Sequence, residues 1–381
     1  MRLRIFLALA VTAAAGLFAQ AGSPAGDELI YVGTYTQHSG KGIYAFRFQI
    51  SPPRLVALGV AAEASNPSFL VVHPNRRYLY AVNEDNLYQN RPSGSVSAYT
   101  IDEKNGRLTL LNQVATRSTG PCHLALDKTG RWLLVANYSG GSIAEFPVEN
   151  DGSLGDNLAF LQHKGSSVDR ERQTSPHPHE IVFSPDNRFV LVPDLGLDEV
   201  LTYRFDAARG TLTPADPPFT RMAAASGPRH LVFHPNGKLV YVENELSATI
   251  GVYGYDPSNG HLDSLLETVS TLPADYVGPK SGAEIAISAD GKFLYASNRG
   301  HDSIAAFAID PEKGTLMKID YLATDGKTPR HFALDPTGDF IFAANQDSGS
   351  VVLFRRSQYT GKGAALGPVM EVPNPVCVVF R

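Results

Sequence analysis

Short runs in which apolar and polar residues alternate, each soon broken by Gly, Pro, Asn or Asp, recur along almost the whole chain. A period of two with frequent turn residues predicts half-buried β-strands rather than helices. The clearest unit runs from Gly227 to Glu245. It reads as an apolar strand, a polar turn at His234–Lys238, and a second strand ending at Asn244. Aligning the sequence on this unit gives six copies, starting at Pro67, Pro121, Pro178, Pro228, Gly282 and Pro329. In each copy the second strand ends in Asn or Asp, an alternating third strand follows, and most copies then have a Gly-x-Leu turn into a fourth.

Four strands repeated at intervals of roughly 50 residues predict the blades of a β-propeller. One such sheet cannot bury both faces, so blades must stack around an axis. The ends complete the count. Pro375–Phe380 is a first strand without a second, and Leu29–Tyr35 is a second strand without a first. Together they predict a seventh blade shared by both termini, which closes the ring and removes an exposed edge. The expected fold is all-β: a seven-bladed β-propeller of four-stranded antiparallel blades, forming one domain over residues 22–381.

Residues 1–21 read differently. Arg2 and Arg4 precede an apolar run to Phe18, and Ala19-Gln20-Ala21 has the small-x-small form of a cleavage site. This predicts a signal peptide and an exported, periplasmic or secreted protein, with no membrane contact after cleavage. Across the 381 residues the net charge is −5 and no basic run is interleaved with aromatics, which argues against nucleic acid as a partner. Cys122 and Cys377 are the only cysteines and fall in non-adjacent repeats, so two buried free thiols are expected rather than a disulfide.

Candidate chemistry lies where the copies disagree. The residue after the aligned proline reads Ser68, Cys122, His179, Arg229, Ala283, Arg330, Val376. The residue just past the second-strand Asn reads Glu84, Tyr138, Leu195, Glu245, Arg299, Gln346, with Tyr35 in the shared blade. A structural motif would repeat one residue type; these positions change and concentrate His179, Arg229, Glu245 and Arg299 on three consecutive blades. A histidine or carboxylate can take a proton from water, and arginines can hold an anion or an oxyanion. His177, His230, Glu84 and Arg330 are candidate substrate contacts, with His177 weaker than His179. The alternative is a charge-balanced channel with Glu245 merely paired to its arginines.

The next position along, Phe69, His123, Glu180, His230, Glu284, His331 and Cys377, holds three histidines and invites a metal reading. Strand alternation should turn it away from its neighbour, and neither His-Glu-x-x-His nor Cys-x-x-Cys occurs, so no metal is expected. The polar insert Lys164–Thr174 is either a cover for the channel mouth or a solvated loop, and Asn86–Pro92 could form part of the rim.

Four motifs, Thr174-Ser175-Pro176-His177-Pro178-His179, Gly227-Pro228-Arg229-His230, Val242-Glu243-Asn244-Glu245-Leu246 and Ser297-Asn298-Arg299, together resemble the seven-bladed lactonase family. That family includes propeller-type 6-phosphogluconolactonases and is similar to fungal carboxymuconate-lactonizing enzymes. The resemblance spans Leu29 to Phe380. It implies a cofactor-independent lactone hydrolase with a small-molecule lactone substrate and places the family's His, Arg, Glu and Arg on His179, Arg229, Glu245 and Arg299. A lactonizing cycloisomerase and a non-catalytic periplasmic binding propeller are the rival readings. A leader peptide fits poorly with a phosphorylated intracellular substrate.

Overall fold

In the computed structural model, residues 27–37, 39–367 and 370–381 are described; the expected signal peptide lies outside them. Every regular element among these residues is a strand. Six consecutive four-stranded antiparallel blades begin with Leu70–Val72, Pro121–Leu126, Val182–Phe183, Pro228–Phe233, Gly282–Ile287 and Pro329–Leu334, the last gaining the short Met370–Glu371 on its outer edge. The seventh blade is ordered 54–63, 42–49, 28–34, 375–380, so the C-terminal strand is innermost and pairs with the N-terminal one. The shared blade expected from the incomplete ends is present.

The burial pattern follows from stacking. Second strands such as Phe293–Asn298 and Phe340–Asn345 are buried at every position, because both faces meet a neighbouring blade. Outermost strands such as Thr211–Arg221 are mostly open to solvent. The apolar core divides into clusters that each join two adjacent blades. One combines Tyr80 and Val82 with Leu133 and Val135; another combines Phe48 with Phe340 and Phe342, whose rings meet edge to face. The Asn that ends so many second strands is a staple: Nδ2 of Asn83, Asn298 and Asn345 donates to the carbonyls of Ser65, Thr271 and Thr324 in the incoming connection.

Two local features position the site. The first is a β-bulge at the start of the innermost strands. Pro228 faces Asn244 but His230 already faces Glu243, leaving Arg229 as the extra residue; the same shift occurs at Cys122 and Arg330. A bulge re-aims the extra side chain. It also corrects the expectation from simple alternation that the following residue points away from the axis. His123, His230 and His331 converge there on Phe69, with ring centroids 4.0, 6.2 and 5.7 Å from it. The second feature is Gly282, where most blades carry proline. A Cβ at Gly282 would collide with Oε1 of Glu243, which occupies the space from the preceding blade.

Candidate active site

At the axis, the bulged residues and those following the second strands enclose a cavity of about 210 Å³ lined by Tyr35, Glu84, Cys122, Tyr138, Arg172, His179, Glu245, Arg299 and Arg330. The bulge and the strand end contribute one side chain each per blade, which is how residues distant in sequence meet here.

Glu245 organises the charges. Its Oε1 accepts from Arg172 at 2.7 Å, and its Oε2 lies 2.7 Å from Arg299 and 3.2 Å from Nε of Arg229. Burial alone would push this carboxyl up, but Arg299, Arg229 and Arg172 override it and hold the pKa down at about 2. Arg299 is tied further to the Gly282 carbonyl, and Arg229 to that of Ala283. Arg229 is 2% exposed and lies beneath the floor rather than in the cavity lining. Arg330 has no carboxylate within ion-pair distance among the described residues; its guanidinium lies 5.4 Å from the Tyr35 ring, whose hydroxyl donates to Glu84 at 2.9 Å.

His179 is 4% exposed. Burial, followed by the positive charge of Arg229, holds its pKa well below the ordinary imidazole value, so it is neutral. Its Nδ1 lies 4.0 Å from Sγ of Cys122, a thiol that burial pushes up and keeps protonated. The site therefore combines a neutral imidazole, a locked carboxylate and one uncommitted guanidinium in one small cavity.

Residues 29–380 match the family described as lactonase, 7-bladed beta-propeller. The chain belongs to the seven-bladed β-propeller lactonase family. It is 37% identical over 350 residues to the 6-phosphogluconolactonase of Bacillus subtilis, covering 92% of this chain and 97% of that one. A second 6-phosphogluconolactonase, from Formosa agariphila, is 37% identical over 341 residues, 87% of this chain and 94% of the relative. Among solved structures, the periplasmic gluconolactonase of Pseudomonas aeruginosa superimposes with a TM-score of 0.87 at 36% identity, covering 93% of this chain and 99% of that one.

Of the residues singled out in the lactonase sequence, His179, Glu245, Arg299, Glu84 and Arg330 line the cavity together, with Arg229 directly below. His177 and His230 are placed elsewhere. The His177 ring stacks on Tyr138 at 4.5 Å, with Nδ1 bonded to the Tyr138 carbonyl, so it steadies a wall residue. His230 belongs to a buried belt below the cavity, with Nδ1 3.2 Å from Glu284 and 3.9 Å from Glu180. Among the described residues no group of His, Cys, Asp and Glu has an arrangement able to hold a metal ion. Cys122 and Cys377 are both buried and free.

The repeat pattern does not single out Arg172, which sits in the irregular insert outside the register. The loop is firmly built: Asp169 accepts from the amides of Glu171 and Arg172, and buried Gln173 donates to the Leu195 carbonyl. It thereby sets Arg172 across the mouth against Glu245 and the Tyr138 hydroxyl. Tyr35, Cys122 and Tyr138 occupy the variable positions in the copies, but carry no formal charge to set them apart.

Proposed function

We propose that this protein is a 6-phosphogluconolactonase-like carboxylic ester hydrolase that opens a sugar lactone, with His179 as the proton acceptor. Family membership and the named relatives support hydrolysis over ring closure of a conjugated acid. The observation that carries the mechanism is the division of labour around Glu245. A carboxylate held at about 2 by three arginines is a poor base at neutral pH, whereas His179 enters the reaction unprotonated. In this reading the lactone carbonyl oxygen points at Arg330 and the free edge of Arg299, and His179 takes a proton from the attacking water. The nearby guanidiniums that weaken His179 as a base also stabilise the oxyanion. As negative charge forms on the carbonyl oxygen it offsets their field, so the imidazole accepts its proton more readily at the transition state. His179 then returns the proton to the ring oxygen as the tetrahedral intermediate collapses to the hydroxy acid.

The leader-like residues 1–21 and the periplasmic location stated for the Pseudomonas relative support export. The test is a pH-indicator assay of purified mature protein on sugar lactones. Catalysed acid release that disappears in His179→Ala supports the reading; failure to open any lactone sinks it.

A further inference from the structure

Beside the axial cavity lies a second, outer pocket of about 380 Å³, lined by Tyr35, Gln37, Glu84, Asn86, Gly120, Ser139, Gln346, Asp347 and Asn374. Tyr35 and Glu84 belong to both walls, so the two spaces adjoin at these side chains. The two compartments differ sharply in charge. The arginines of the site, Arg172, Arg299 and Arg330, are all in the inner wall, with Arg229 beneath. None of the residues lining the outer pocket is Lys or Arg; it offers amides, hydroxyls and the carboxylates of Glu84 and Asp347. The partners found for those carboxylates are uncharged: Glu84 accepts from the Tyr35 hydroxyl, and Asp347 from the Thr328 hydroxyl and the Gln346 amide.

We propose that Glu84 and Asp347 are specificity determinants that accept the hydroxyl groups of an unphosphorylated sugar lactone and turn away a phosphate on its tail. The inference rests on the lactonase reading above and narrows its substrate. With the carbonyl at His179 and Arg330, the opposite end of the sugar lies in the outer pocket, where hydroxyls meet acceptors and amides. A dianionic phosphate there faces two carboxylates and no lining cation, and its insertion displaces the water that screens exposed Asp347. Reversing the substrate does not help. A phosphate at the axis finds only Arg330 uncommitted, because Glu245 already holds Arg172 and Arg299 at 2.7 Å each, and with the phosphate there the carbonyl is carried away from His179.

The experiment compares kcat/KM for glucono-δ-lactone and its 6-phosphate in wild type and Asp347→Lys. Wild type should favour the neutral lactone by about tenfold or more, and Asp347→Lys should move the ratio toward the phosphorylated one by a similar factor. A wild-type preference for the phosphorylated lactone, or a ratio unmoved by Asp347→Lys, overturns the inference while leaving the lactonase reading intact. If neither lactone is opened, the lactonase reading falls and this inference with it.

Discussion

His179 and Glu245 are both buried beside arginines, and the same positive field lowers both pKa values, leaving the imidazole neutral and the carboxylate charged. For His179 the pKa is lowered, so the reactive neutral form persists as pH falls through the ordinary imidazole range. We expect the rate to stay flat through about pH 6.5, with its acidic limb lying lower. Arg330→Gln removes one of the depressing charges and should move that limb upward while lowering kcat; a limb that stays put would exclude His179 as the titrating base. For Glu245 the folded value lies below the 4.5 of an unperturbed glutamate, so its stabilising effect is complete above that pH and lost as pH falls toward 2. Glu245→Gln strands buried guanidiniums and should cost roughly 3–5 kcal/mol in urea unfolding at neutral pH. That difference should shrink below pH 4.5. These charged residues were legible in the sequence because they break a repeat. The bond pattern that locks one carboxylate was not, since it depends on the bulge and on a loop residue with no counterpart in other blades.

At the level of elements, the bulge explains what simple alternation missed. Alternation placed His179 and Glu180, or Arg229 and His230, on opposite sides of a strand; one extra residue lets both of a pair reach the axis at different depths. The upper layer forms the cavity, and the lower forms the His–Glu belt. The same scale accounts for Gly282. The residue before the second-strand Asn is small or apolar in other blades, as in Ala136 and Ala344, but is Glu243 in the fourth, and the facing proline position has become glycine. Gly282→Ala should overpack this contact by about 1–3 kcal/mol, and Glu243→Ala in the same chain should recover much of the loss. Additive costs in the four-variant cycle would show that the two positions are independent. The insert 164–174 makes a separate prediction. Because the Arg172 side chain is 44% exposed, Arg172→Ala should change stability by about 1 kcal/mol or less, while raising KM several-fold through loss of the cover over Glu245. An unchanged KM would make the loop a bystander.

Across the whole molecule, the fold was legible because it is one unit written repeatedly, and repetition turns weak local signals into a register. What repetition does not encode is the asymmetry among the blades, which comes from single departures: Arg172 in one connection, Glu243 against one glycine, Asp347 beyond one strand. The closing blade has a further consequence. The amide of Arg381 donates to the Leu29 carbonyl at 2.9 Å, so the start and finish of the ring lie side by side on the seam where they pair. In such a molecule the place where the backbone is cut is a convention of the gene rather than of the architecture. Linking residue 381 to residue 28 through a short flexible joint and opening the chain at the exposed Pro257–Ser258 turn should give a circular permutant with the same spectrum and activity. A permutant that fails to fold would show that the order of synthesis, and not only the closed ring, is written into this sequence.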